Sequence, residues 1–248
     1  MKQETFRSFD GASLGYRVAG EGPPVVMLHG FLANARFNWI DPGITGAIVD
    51  AGFQAIMLDL RGHGLSAQPD GAAFPPDVLA MDGAALITHL GLGGYDLVGY
   101  SLGARTAVRM LARGARPRRC VLGGMGLSAI VGSAQRVAFF RDAIVNGDKA
   151  RNPQAAKVIN AMIANAQLKP AAMLAVLEAQ LQTTETELDE IETPILVVSG
   201  ADDDDNGSAE ELASTLPHAR AARVPGNHLS TVQAPELAAA IVDFLRSP

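Results

Sequence analysis

A serine hydroxyl becomes a useful nucleophile only when a neighbouring base takes its proton. The first thing to seek is therefore a serine in a tight turn with a histidine and a carboxylate further along the chain. Gly99-Tyr100-Ser101-Leu102-Gly103 fits the pattern G-x-S-x-G. With 26 glycines and 11 serines in 248 residues, chance supplies about 0.1 such matches, so the pentapeptide alone is weak. Its setting strengthens it: the apolar run Tyr95–Val98 precedes it and a helical pattern opens near Leu102. A strand-to-helix turn of this kind needs small flanking residues and lifts the serine hydroxyl clear of the sheet. The competing reading is a glycine-rich turn with an incidental serine.

Five histidines are candidate bases: His29, His63, His89, His218 and His228. In a parallel α/β sheet the loops that follow strands reach the catalytic edge. His89 ends a helical pattern and His218 precedes an apolar run, which places both at the other edge. His29, His63 and His228 follow strands, and His228 completes the chain order Ser…Asp…His. The base needs an acid to fix its tautomer and stabilise the imidazolium. The loop Ser199–Gly207 offers Asp202, Asp203, Asp204 and Asp205, and spacing alone does not choose among them. Asp202, Asp204, Asn206 and Gly207 also match the opening of a calcium-binding loop, but the position of its closing glutamate is Ala213. Gly123–Ser133, the other loop where an acid is expected, contains no carboxylate. Attack on a carbonyl creates an oxyanion that needs N–H donors. These are expected from the amides of Leu102, next to the nucleophile, and Phe31, in the turn His29-Gly30-Phe31. His29 itself reads as ordering that turn.

The elements that would position these residues alternate between apolar, β-branched runs and longer helical patterns, the signature of a mainly parallel sheet wrapped by helices. Thr5–Phe9 and Ser13–Val18, separated by Asp10-Gly11, read as a hairpin. Further strands are expected at Val25–Leu28, Gln54–Leu58, Tyr95–Val98, Arg119–Leu122, Ile195–Val198 and Ala221–Val224, giving an α/β fold with about eight strands. Helices are expected near Ile44–Ala51, Pro76–Leu90, Leu102–Arg113, Ala209–Thr215 and Pro235–Leu245. Between about Ser128 and Glu192 there is only helix-like sequence. This divides the chain into a core of residues 1–127 and 192–248 and a helical cap, 128–191, inserted after the sixth strand. An ordinary flanking helical layer is the plainer alternative.

Hydrophobic residues make up 48% of the chain and charged residues 19%, which suits a packed globular core. A net charge of -6 argues against a nucleic-acid or anionic-membrane partner. The cluster Arg105, Arg109, Arg113, Arg116, Arg118 and Arg119 reads as a solvated helix face. The single cysteine, Cys120, excludes a disulfide within the chain and reads as a buried thiol. The start of the chain is polar, without the apolar stretch of a signal peptide, and no segment reaches membrane-spanning length. Cytoplasmic localisation is expected, and a homodimer is compatible with the composition.

Five segments in order, His29-Gly30-Phe31, Asp59–Ser66, the turn at Ser101, Gly200-Ala201-Asp202-Asp203 and Gly226-Asn227-His228, make the chain resemble α/β-hydrolase-fold serine hydrolases of the carboxylesterase-like kind, over nearly its whole length. The resemblance implies that Asp59–Ser66 is a structural turn, which counts against His63 as base. It also maps the acid to Asp203, with Asp202 next; Asp204 and Asp205 depart from the usual continuation. Haloalkane dehalogenases and epoxide hydrolases share the fold but use an aspartate nucleophile, which Ser101 excludes. The expectation is ester hydrolysis through an acyl-enzyme, with Ser101, His228 and Asp203 catalytic and no metal or organic cofactor. Phe31, Met125, Leu127, Phe139 and Phe140 are expected to line an acyl pocket beneath the cap, and the apolar insert argues for a small or medium, uncharged acyl group. The same triad could instead serve a lactone, thioester, carbon–carbon bond hydrolase or cofactor-free perhydrolase. A non-catalytic, hydrolase-like ligand-binding protein and a calcium-dependent binding protein are the rivals outside catalysis.

Overall fold

The computed structural model describes residues 1–69, 73–132 and 134–247. Its frame is one eight-stranded sheet in the order β1-β2-β4-β3-β5-β6-β7-β8. The strands are β1 (Lys2–Arg7), β2 (Ser13–Ala19), β3 (Pro24–Leu28), β4 (Gln54–Leu58), β5 (Asp96–Tyr100), β6 (Cys120–Gly123), β7 (Ile195–Gly200) and β8 (Ala219–Val224). β1 and β2 form an antiparallel hairpin, β2 runs antiparallel to β4, and every later pairing is parallel. The central strands β5, β6 and β7 are buried at every position because helices cover both faces.

The expected first strand, Thr5–Phe9, is displaced to Lys2–Arg7. Gly11 donates to the Ser8 carbonyl at 2.9 Å and Ser8 donates to the Ala12 carbonyl at 2.9 Å, so Ser8 and Phe9 belong to the turn. The remaining strands and helices fall within a few residues of their expected positions.

On one face α1 (Ile44–Asp50) and α10 (Pro235–Arg246) pack Ile48, Leu237 and Ile241 against Val25, Met27 and Val198. On the other, α2 (Val78–His89), α3 (Leu102–Ala112) and α9 (Ala209–Thr215) bury Leu86, Val108 and Leu212 with Val26, Leu97 and Val197. The arginines of α3 are not a solvated face: Arg105 and Arg109 are buried beneath residues of the 170–190 segment, and Arg109 pairs with Asp77 at 2.7 Å and Glu187 at 2.9 Å.

Between β6 and β7 lie α4 (Leu127–Val131), α5 (Ala134–Asn146), α6 (Pro153–Asn165), α7 (Pro170–Glu178) and α8 (Glu185–Asp189). α5, α6 and the start of α7 build a small core of their own, with Ala143, Ile159, Ile163 and Met173 packed on Leu32. Ile130, Val176, Leu188 and Ile191 instead join the apolar layer of the sheet. Among the described residues, no helix is long and apolar enough to cross a membrane.

Candidate active site

β5 ends at Tyr100 and α3 begins at Leu102, which leaves Ser101 alone in the turn at φ 52° and ψ -113°. That conformation is strained for a residue with a side chain. It is held by the Ser101 amide, which donates to the Gly123 carbonyl at 2.8 Å, and by two close backbone approaches. A Cβ at Gly103 would overlap the Leu28 carbonyl, and one at Gly99 would overlap the Gly103 carbonyl. Only glycine lets helix and strand meet at this spacing.

The Ser101 hydroxyl lies 3.0 Å from His228 Nε2, and His228 Nδ1 lies 2.9 Å from Asp203 Oδ2. Ser101, His228 and Asp203 are each less than 10% exposed. Neighbouring loops fix the imidazole. The Tyr100 hydroxyl donates to the His228 carbonyl at 2.7 Å, and the two rings sit 5.6 Å apart. Asn227 Oδ1 accepts from the amides of Leu229 and Ser230, shaping the turn around the histidine. Burial pushes the Asp203 carboxyl up, but hydrogen bonding and charge from His228 outweigh it and hold Asp203 below the ordinary carboxylate range. Asp202 and Asp204 are exposed, and neither is hydrogen-bonded to His228 among the described residues.

The turn of His29 and Gly30 sits against Ser101: a methyl group at Gly30 would stand 3.4 Å from its Cβ. The Gly30 amide donates to Asn38 Oδ1 at 2.9 Å, which pins the turn that carries Phe31. His29 Nε2 accepts from the Leu60 amide at 2.9 Å, and its Nδ1 lies 2.8 Å from the Gly30 carbonyl. This wiring needs a neutral ring protonated at Nδ1. Burial, with a smaller contribution from the neighbouring His29, pushes His63 down to about 3. His89 stacks on Phe6, and His218 pairs with Glu192 at 3.0 Å.

The calcium pattern does not assemble. Asn206 is buried, its amide donates to the Gly124 carbonyl at 2.9 Å, and it lies 3.2 Å from His228 Nδ1. The acidic groups gathered here are Asp203 and Asp205 with His228, within 4.8 Å of one another. That set includes an imidazole, a poor ligand for a hard cation such as calcium.

Ser101 and His228 open into a cavity of about 500 Å³ walled by Phe31, Phe37, Phe139, Phe140 and Val158. A larger groove of about 770 Å³ elsewhere, bordered by His89 and Met110, contains none of Ser101, His228 and Asp203. Of the residues expected to contact substrate, Phe31, Phe139 and Phe140 line the cavity. Met125 lines a smaller adjoining pocket of about 40 Å³ with Leu102. Leu127 borders neither and packs on the apolar layer of the sheet. Phe37, Arg136, Val158 and Leu229 border the cavity without having been singled out in the sequence. Arg136 and Val158 lie on insert helices, and only the way those helices cross brings them here.

An alpha/beta hydrolase family model matches residues 25–241. A non-heme chloroperoxidase of Kitasatospora aureofaciens is 39% identical over 105 residues, covering 42% of this chain and 36% of that protein. The N-formylmaleamate deformylase of Pseudomonas putida is 34% identical over 99 residues, 40% of this chain and 35% of that protein. The alignments thus span about a third of the length of these curated relatives. An esterase from Rhodococcus sp. ECU1013 superposes with a TM-score of 0.76 over 100% of this chain and 99% of that one, at 22% identity, a likeness of fold alone. With the family model matching nearly the whole length from β3 to α10, the chain belongs to the alpha/beta hydrolase family.

Proposed function

We propose that the protein is a serine hydrolase that cleaves carboxylic esters of small or medium substrates through an acyl-enzyme. The observation that carries this reading is the unbroken relay Ser101–His228–Asp203, at 3.0 and 2.9 Å, at the base of a largely apolar cavity. In the proposed cycle His228 Nε2 takes the Ser101 proton as Oγ attacks the ester carbonyl carbon. The Phe31 and Leu102 amides stabilise the oxyanion. His228 then protonates the departing alcohol, and Ser101 is left acylated. Water, deprotonated by the same nitrogen, attacks the acyl carbon and releases the acid and Ser101. Asp203 keeps the Nδ1 proton in place and stabilises the imidazolium throughout. Residues 128–191 act as a cap over this cavity, with Phe139 and Phe140 facing the substrate, and the cycle requires no metal or organic cofactor.

Covalent labelling by a fluorophosphonate probe tests this reading. Labelling of the wild type that disappears in Ser101→Ala is expected, and an unlabelled but folded wild type would overturn it. Turnover of an ester series beside lactone and thioester panels reads the acyl class. One further reading draws on the relatives named chloroperoxidase: hydrogen peroxide in place of water would attack the acyl-enzyme and give a peracid. Halide oxidation that requires a carboxylic acid as well as peroxide would reveal it.

A further inference from the structure

Buried arginines normally come with carboxylates, because an uncompensated interior charge costs several kcal/mol. Arg61 follows the rule with Asp10 and Asp82, and Arg109 with Asp77 and Glu187. Arg105, which is buried, and Arg136, which is half-buried, do not. Arg105 is only 6% exposed; it donates to the backbone carbonyls of Ala129 and Leu181, and its Nε is buried with no partner among the described residues. Burial pushes its pKa down, Arg109 repels it, and Asp77, already paired with Arg109, offsets part of this. Arg136 donates to the Asp205 backbone carbonyl at 3.2 Å and lies over the Phe140 ring at 5.4 Å. Among the described residues, neither guanidinium has a carboxylate within ion-pair distance. The carboxylates closest in influence on Arg136 are those of Asp205 and Asp203, and Asp203 is hydrogen-bonded to His228.

Both arginines border the same small pocket, about 40 Å³, with Phe31, Leu102 and Phe140. A void needs roughly 10–15 Å³ to admit one water, so this one, about 40 Å³, has room for a group the size of a carboxylate and not for a long chain. It shares Phe31, Arg136 and Phe140 with the active-site cavity. Its place also says which half of a substrate would reach it. The leaving alcohol must lie beside His228 Nε2, which protonates it. His228 borders the large cavity and not the small pocket. Ser101 also borders only the large cavity, so an acyl chain attached to it would reach the small pocket past the shared residues Phe31 and Phe140.

We propose that this pocket is an anion subsite in which Arg136 and Arg105 hold a terminal carboxylate of the acyl chain, so that the preferred substrates are half-esters of short dicarboxylic acids. The inference rests on the acyl-transfer reading above. It replaces the uncharged acyl group suggested by the apolar insert, because that insert also delivers the Arg136 guanidinium. The same chemistry would accept a free small anion, and the test separates the two.

Hydrolysis of ethyl hydrogen glutarate is compared with that of its neutral isostere ethyl glutaramate by pH-stat, with succinate and adipate homologues to read the reach. The wild type should favour the charged ester at least tenfold in kcat/KM. Arg136→Gln should reduce that ratio at least tenfold, and Arg136→Lys should restore part of it. Free glutarate should slow fluorophosphonate labelling of the wild type but not of Arg136→Gln. A wild type that is labelled normally yet treats the two esters alike overturns the subsite and leaves the hydrolase reading standing. Equal protection by chloride at matched ionic strength shows a site for adventitious anions only and overturns the half-ester assignment. If Ser101 is not labelled at all, it is the acyl-transfer reading that has failed. The subsite is then judged by Tm: a rise with glutarate in the wild type and none in Arg136→Gln upholds it, and no rise overturns it.

Discussion

His228 and His63 occupy similar places. Each follows a parallel strand of the sheet, β8 and β4, and each is buried. Their wiring differs. His228 has a carboxylate on Nδ1, a hydroxyl on Nε2 and one face on a cavity. His63 has the Arg61 carbonyl on Nδ1, no partner on Nε2 among the described residues, and the His29 and Phe31 rings at 5.1 and 5.9 Å. Its local carboxylate, Asp59, is directed elsewhere: Arg17 and the amides of Ala35 and Leu65 donate to it, which ties the Asp59–Ser66 turn to the loop after β3. Burial and strand placement therefore do not make a base. An acid on one nitrogen and a reachable proton on the other do.

This contrast can be broken by four measurements. Ser101→Ala and His228→Ala should each lower kcat by about 10⁴- to 10⁶-fold, whereas His63→Gln should cost less than about tenfold; comparable losses would mean the two histidines were misassigned. Asp203→Asn should lose between about ten-fold and 10⁴-fold through the wrong tautomer. His63 should also show itself in stability against pH. His63 stays neutral down to about 3 when folded but takes a proton near its ordinary value of about 6.5 when unfolded. The unfolded state then binds more protons across that window, so stability falls as pH drops from about 6.5 to 3. On the order of 2 kcal/mol should be lost by pH 5. Urea midpoints of the wild type should show this slope and His63→Gln should flatten it; identical slopes would show that His63 titrates normally. Asp203, held low, acts in the opposite sense to an acid raised by burial: its contribution persists above about pH 4 and is lost only as pH falls through its lowered value. The smallest effect is expected for Asp202→Asn, within about twofold of wild type; a large loss there would move the acid by one residue.

Why some of this was legible in the sequence and some was not follows from range. The parallel strands read clearly because both faces are buried and the runs are continuously apolar, as in Val25–Leu28 and Ile195–Val198. The first strand slipped because β1 is an exposed edge strand, apolar only at Phe6, and Phe9 in the turn beyond it mimics a strand position. Ser101 and His228 were legible because each is tied to a local turn. Four adjacent aspartates gave no local reason to prefer one; the loop buries Asp203 and leaves its neighbours exposed. Asn206 was hidden inside an apparent calcium pattern. Arg136, Phe37, Val158 and Leu229 were not legible at all, because the cavity wall depends on the packing of distant helices.

The overlap that any side chain at Gly103 would make with the Leu28 carbonyl also bears on engineering. It makes the distance between Ser101 and the neighbouring loop a hard stop set by main chain, indifferent to what lines the cavity. Libraries that vary Arg136, Phe139, Phe140 and Val158 can therefore retune substrate range without moving the serine, whereas no choice of wall residues will rescue a larger residue at position 103.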